Sequence, residues 1–343
     1  MDEMPLRTSE RRADEMDLRT SERRAFRRCP TRWWWGYREG LEPISHRANA
    51  LWFGTGIHLA LAERYKYKGL RRGRNVLKVW RDYVGEEVAY VATRPQNSHV
   101  DDKPVWEEAG ALGEAMLGAY LDEYGKDERW YWIATEQTFT SVIKAKGIRI
   151  NYHGTWDGAA RDEESEHGDM WLFEHKSAKA ITLNHLSLDD QGGSYWMVAN
   201  EMLFALGLIS ATEALEGIMY NFLRKSKPDP RPRNADGMYL NQNGSVSKNQ
   251  PAKAFIREPV YRTPAEQATQ RQRIIAESRH MMKFRTGELD LYKNSTIDCS
   301  WDCSFFGMCE LHENGDDWEE FADAMMRVRD PYADHRKSAS EGT

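Results

Sequence analysis

The sequence predicts an α/β protein in which a central mixed sheet is flanked by helices. Two observations carry this expectation. Stretches rich in β-branched and aromatic residues, the signature of strands, bunch between residues 131 and 223. Helical periodicities lie on both sides of that block, and one falls inside it at 188–206. With 343 residues, the chain can form one large domain with additions and bury a sizeable core.

Composition narrows the class. Apolar residues make up 40% and charged residues 30%, as in globular proteins. No apolar run approaches the ~18 residues of a membrane helix, so no membrane partner is expected. The N-terminus is charged and lacks the apolar stretch of a secretory signal, which leads to the expectation of a reducing cytoplasm. The four cysteines are few for a disulfide scaffold, and three of them sit near one end, which suggests a metal or cluster site. The net charge of −6 hides an asymmetry. The segment 299–323 has no Lys or Arg, whereas Arg23, Arg24, Arg27, Arg28 and Arg32, and later Arg224, Lys225, Lys227, Arg231 and Arg233, form basic stretches. Local patches of this kind decide where phosphates bind.

Along the chain, residues 2–13 and 14–25 are a near-perfect tandem repeat that differs only at Pro5 against Asp17. A solenoid needs about three stacked units, so an artefact or a recent duplication is the expected origin. Ser21 is placed to cap a helix that Pro30 interrupts. Trp33, Trp34 and Trp35 cannot all face one side of a helix, so core and interface packing is expected, with base stacking as the alternative. A helix over 51–67, entered through Gly54 and Gly56, puts His58, Ala62 and Tyr65 on one face. Two further helices fit 76–91 and 105–124, with a loop at 94–103. Strand patterns follow at 131–143, 148–153, 155–161 and 170–176, the last two joined by a charged turn at 162–169. A strand at 214–223 comes after the inserted helix, then an excursion or mobile loop at 226–251 and a helix at 264–286.

The chemistry is concentrated between Gly154 and Tyr195. A strand puts Glu174 and Lys176 on one face and His175 on the other, and the hairpin turn brings Asp157 beside them. Converging buried carboxylates imply a cation, and oxygen ligands suit Mg2+ or Mn2+. Such a site can polarise a phosphodiester and lower the pKa of a bound water, while the lysine orients that water. An Asp…Glu-x-Lys triplet alone is common by chance. Here it has company: His58 on an earlier helix, and Gln191 and Tyr195 one helical turn apart just after.

In this order, His58, Asp157, Glu174-x-Lys176 and Gln191-x-x-x-Tyr195 resemble the PD-(D/E)XK nuclease superfamily, and most of all its RecB-type branch. Trp156 stands where the family name has proline. The resemblance implies a restriction-endonuclease-like core. It implies metal ligation by His58, Asp157 and Glu174, with the backbone carbonyl of His175 as a further ligand. Lys176 would be catalytic together with Asp157 and Glu174, and Gln191 and Tyr195 would brace the site and touch DNA.

The cysteines follow the pattern Cys299-x3-Cys303-x5-Cys309, interleaved with Trp301, Phe305, Phe306 and Met308, and the fourth, Cys29, lies almost a whole chain away. Four thiolates can hold zinc or a 4Fe–4S cluster, and the paired C-x2-C knuckles that favour zinc are missing. The layout is similar to the iron–sulfur subset of RecB-type nucleases, which includes the AddB nuclease domain and CRISPR-associated exonucleases. The segment from Phe26 through Cys29 to Trp33 shares that likeness. The resemblance implies a structural 4Fe–4S clasp rather than a redox centre.

The expected organisation is therefore a duplicated, disordered segment at 1–20 and an N-terminal helical region at 21–130 carrying Cys29 and His58. A nuclease core at 131–290, an iron–sulfur clasp at 291–331 and a flexible tail at 332–343 complete it. There is no P-loop motif, so the chain supplies no ATP motor of that kind. The expected activity is a Mg2+- or Mn2+-dependent DNA exonuclease acting in recombination, repair or phage and CRISPR DNA processing. The setting would be a bacterial or phage-infected cytoplasm. Arg224 and Lys225 are the candidate DNA grips. The substrate would be single-stranded DNA or DNA with free ends, with room for a recombinase or helicase partner. The alternatives are an endonuclease or nickase of the same fold, and a non-catalytic DNA-binding assembly subunit.

Overall fold

The computed structural model describes residues 14–44, 47–66, 75–93 and 100–333. Its strands are β1 (Glu15–Arg19), β2 (Leu41–Pro43), β3 (Trp130–Ala145), β4 (Ile148–Asp162), β5 (Met170–Ala178), β6 (Leu215–Arg224), β7 (Phe255–Tyr261) and β8 (Met326–Val328). All but β2 and β8 join one mixed sheet in the order β1-β4-β5-β6-β7, with β3 on the other side of β4. The pairs β3–β4, β4–β5 and β6–β7 are antiparallel, and β1–β4 and β5–β6 are parallel.

One edge of β4 organises the molecule. Residues 149–153 pair with β1, and residues 158–161 pair with β5. Between them, Gly154 to Asp157 pair with no strand on that edge among the described residues. The opening lies where β5, beyond Phe173, parts from β4 and continues along β6 alone. Gly154 lies in it because a Cβ there would come within 2.6 Å of the Phe139 ring and 2.8 Å of the Tyr195 ring.

Helices cover both faces. On one, Ile150, Trp156, Leu172, Ile218 and Phe222 pack against α6 (Asp190–Ala205) and α7 (Pro264–Arg285), with Phe26 of α1 (Thr20–Arg28) and Trp33 of α2 (Pro30–Trp33). On the other, Trp171, Phe173, Met219 and Leu223 pack against α3 (Ala50–Arg64), α4 (Val76–Ala92) and α5 (Lys103–Tyr124). Strand alternation sorts neighbours such as Leu172 and Phe173 to opposite cores. A third, smaller core joins Trp35 to Phe305, Met308 and Met326. It gathers α9 (Phe306–Asn314) and α10 (Trp318–Met325), which follow the short α8 (Cys299–Asp302), beside the antiparallel β2–β8 ribbon. Among the described residues, no helix is long and apolar enough to cross a membrane.

Several expectations need correction. The segment expected to be disordered to residue 20 yields β1, in which Met16 and Leu18 are buried, and the first helix begins at Thr20. The first repeat copy lies outside the described residues. The N-cap of α1 is Arg19, and Ser21 sits inside the helix, where no side-chain cap forms. The strands expected at 148–153 and 155–161 are one continuous β4. Strand β7 was not foreseen, because its polar, proline-containing sequence owes its state to pairing with β6. Trp33 and Trp35 are buried in two different cores, so neither is free to stack on a base. Tyr332, expected to begin a flexible tail, is buried, and residues 334–343 lie outside the described ones.

Candidate active site

Asp157 sits in the opening between β4 and β5. The backbone N–H of His175 donates to its Oδ2 at 2.5 Å, and its Oδ1 lies 2.9 Å from Nδ1 of His58. A carboxylate thus closes the gap left where the two strands part. α3 delivers His58 to this point. The helix starts with Asn49, whose side chain accepts from the N–H groups of Leu51 and Trp52, and passes Ser177 at Gly54.

The structure adds a residue that the sequence reading missed. On β3, Thr135 faces Gly158 and Gln137 faces Trp156, so Glu136 lies opposite Asp157. Like charges directly across two strands repel. Glu136 Oε1 is buried, lacks a hydrogen-bond partner among the described residues and lies 4.0 Å from Nδ1 of His58. Its backbone has a φ of 45°, in the left-handed region that glycine favours. Among the described residues, His58, Glu136 and Asp157 offer one ligand atom each, all within 4.8 Å of one another. The available signal was an acid within a strand pattern, but only the register places it across from Asp157.

Glu174 stands outside this compact set. Its Oε1 accepts from Lys176 Nζ at 2.5 Å, and Lys176 Nζ also donates to Gln191 Oε1 at 3.2 Å. The lysine is thereby held between the strand and the first turn of α6. Asp189 caps that helix by accepting from Gly192 N–H. Tyr195, one turn on, packs edge-on against Phe139. His175 faces the other way, buried, with Nδ1 beside the Asn221 amide at 3.0 Å.

The electrostatics suit a cation. Burial and the Asp157 charge push Glu136 up to about 7. Burial, with Asp157 adding, also raises Glu174, against the pull of Lys176. Burial opposes ionisation of Asp157, but His58 and the His175 N–H hold it below the usual carboxylate range. Burial would lower His58, yet the acids around it raise it to about 9. Desolvation would lower half-buried Lys176, but Glu174 raises it and it stays cationic. The protein therefore gathers three carboxylates and compensates them with one imidazolium and one ammonium.

A family model described as the PD-(D/E)XK nuclease superfamily matches residues 20–310. The chain belongs to the PD-(D/E)XK nuclease superfamily. No curated protein matches it significantly. Membership implies a nuclease with DNA as substrate, and nucleases of this superfamily use divalent metals. The residues present fit such an ion: an orphaned buried carboxylate oxygen, a second carboxylate across the strands, and an imidazole between them.

In this PD-(D/E)XK chain the cysteines border a common cavity without forming a close set among the described residues. Cys29, Cys299, Cys303 and Cys309 line one cavity of about 310 Å3, with Trp35, Phe305 and Phe306 in its wall. Backbone N–H groups of Asn294 and Thr296 donate to the sulfurs of Cys29 and Cys299, each at 3.4 Å. The Thr296 N–H lowers the Cys299 pKa, with Arg28 Nη2 adding from 3.6 Å. A lone tetrahedral zinc ion would hold its sulfurs about 3.8 Å apart. Among the described residues, the thiols form no set within 4.8 Å of one another.

The two candidate grips lie where β6 ends, beside Ala178 of β5. Arg224 donates Nε to Lys253 O and Nη1 to Lys179 O, so backbone carbonyls occupy it. Lys225 Nζ lies 4.6 Å over the Phe53 ring of α3. The N-terminal basic stretch is engaged in structure as well. Arg23 is fully buried against Asp190, Ser194 and Glu277, and Arg27 joins the same acids.

Proposed function

We propose that this protein is a Mg2+- or Mn2+-dependent DNA exonuclease of the RecB-type branch, with a structural 4Fe–4S cluster. The observation that carries the nuclease reading is the Glu136–Asp157 pair, joined by His58 beside Lys176. His58, Glu136 and Asp157 would hold the divalent ion, with Glu174 and the His175 carbonyl completing its environment. When bound, that ion polarises the phosphate and acidifies a water. Lys176 presents an ammonium to the scissile phosphate and orients the attacking water, and Gln191 fixes its Nζ. Tyr195 and the Asp189 cap hold the helix that carries Gln191.

The cluster reading is supported by the four cysteines around one cavity and by N–H groups aimed at two of the sulfurs. Hydrogen bonds to cluster sulfurs are a usual feature of such sites. The cluster's role would be to staple α2 to α8 and α9 across the core.

The deciding experiment compares wild type and Lys176→Ala on end-labelled linear DNA and on a closed circle, with Mn2+ present. Exonucleolytic action predicts digestion of the linear DNA alone, lost in the variant. Cutting of the circle would replace the exonuclease reading with an endonuclease. Equal digestion by both proteins would remove Lys176 from catalysis. Anaerobically purified protein should carry about four irons and a visible absorption band that Cys303→Ser abolishes. A colourless zinc protein would refute the cluster.

A further inference from the structure

We propose that residues 225–254 form a preformed basic arm that follows the sugar–phosphate backbone of the DNA strand entering the site, a proposal that rests on the nuclease reading above. From 224 to 254, seven cations (Arg224, Lys225, Lys227, Arg231, Arg233, Lys248, Lys253) face two acids (Asp229, Asp236), a local +5 in a chain of net −6. Both feet of the arm stand at one place. Arg224 N–H donates to Ala254 O at 2.8 Å, and Lys225 N–H donates to Ala178 O at 2.8 Å. Since Lys176 pairs with Phe222 and Ala178 with Arg224, the arm leaves the sheet two residues beyond Lys176. Lys225 reaches Phe53 on the helix that carries His58.

The arginines hold the arm in shape. Arg224 ties its feet together through the carbonyls of Lys253 and Lys179. Arg231 binds Asp229 on the outgoing limb and Ser247 Oγ and Asn249 O on the returning limb, at 3.0 and 3.1 Å. Arg233 covers the Tyr239 ring, 4.5 Å from its centroid. Bridges pair Arg233 with Tyr239 and Leu240 with Val246. What remains are three lysines. Lys227, Lys248 and Lys253 are exposed, and their ammonium groups make no ion pair among the described residues.

An internally braced loop that spends its arginines on shape and leaves its lysines uncompensated is suited to a polyanion. Lysine contacts phosphate as a point charge without reading bases, so the arm would add affinity and orientation but no sequence preference. This assigns Arg224 to the scaffold and moves the grip to the three lysines.

The test is the triple variant Lys227→Gln, Lys248→Gln, Lys253→Gln beside the parent. Binding of a labelled single-stranded oligonucleotide is followed by anisotropy in Ca2+ across a salt series. Turnover of a small chromogenic thymidine phosphodiester is measured in Mn2+, and melting is checked. The expected result is an affinity loss of about tenfold or more near physiological salt, with the log K against log salt slope shallower by about 2. Small-substrate turnover and melting should stay at the parental values. An unchanged affinity and slope would overturn the arm while leaving the nuclease reading intact. Equal loss on the small phosphodiester would also overturn it, because the lysines would then serve the fold or the chemistry. A parent that neither binds nor cuts DNA would overturn the nuclease reading, and the arm with it.

Discussion

Glu136 shows how a single residue can be both a liability and a ligand. It faces Asp157 across the β3–β4 pair, with a buried oxygen that no group among the described residues satisfies. Glu136→Gln should therefore raise the melting temperature of metal-free protein by relieving like-charge repulsion. The same change should move the Mn2+ concentration for half-maximal cleavage upward by about tenfold or more, as loss of a metal-site contact does. Identical activation curves would take Glu136 out of the site. Lys176, pinned between Glu174 and Gln191, has a simpler expectation. Lys176→Ala should slow single-turnover cleavage by about 10²–10⁴-fold, the range for a positioned proton-transfer or orienting group, with DNA affinity nearly unchanged.

At the scale of elements, α1 positions the site from a distance. Its Arg23 is fully buried and reaches Asp190 at 2.9 Å and Ser194 at 2.9 Å on α6, and Glu277 at 2.6 Å on α7. Asp190 and Ser194 alternate with Gln191 and Tyr195 on the same turn, so the network sets the helix that steadies Lys176. Arg23→Met should cost about 3–5 kcal/mol in urea unfolding, the usual penalty for breaking one side of a buried ion network. Arg27 makes the outer half of that network and is 36% exposed, so Arg27→Met should cost under about 1 kcal/mol. Equal losses would mean that burial does not separate the two arginines. That a second helix packs at this place is legible from the periodicity of 188–206. The ionic lock is not, because its partners lie more than 160 residues apart.

In the whole molecule, the ends of the described chain are fastened together at Glu22. Trp33 Nε1 donates to its Oε1 at 2.8 Å, and Tyr332 donates its hydroxyl to Oε2. Burial dominates and pushes Glu22 from 4.5 to about 7, although Trp33 and nearby arginines pull the other way. Between those values the folded chain holds a proton that the unfolded chain has released. Stability from this group therefore falls as pH rises through that window. In Glu22→Gln, the amide can accept from Trp33 and donate to Tyr332 without titrating. Its stability relative to the parent, from urea melts at pH 5 and pH 8, should improve at the higher pH. A difference that is the same at both pH values would show that Glu22 does not titrate in this range. The β2–β8 ribbon and the cysteine cavity join the same two ends, so loss of the proposed cluster should lower cooperativity at this end first.

The sequence alone was enough for the α/β class, the hairpin carrying Asp157 and Glu174, and the helix carrying Gln191 and Tyr195. Each depends on local period, turn chemistry or spacing, which short stretches encode. It also led to the expectation, through a resemblance in layout, that Cys29 sits with Cys299, Cys303 and Cys309, and all four line one cavity. Tertiary structure decided the rest. Strand register put Glu136 opposite Asp157, and the parting of β4 from β5 left the gap that Asp157 fills. Packing buried Arg23 and Trp35 and set Arg224 against the carbonyls of Lys253 and Lys179. These outcomes depend on which distant segments become neighbours, and a hydrogen-bond register or a buried ion pair between them leaves no periodic trace in the chain.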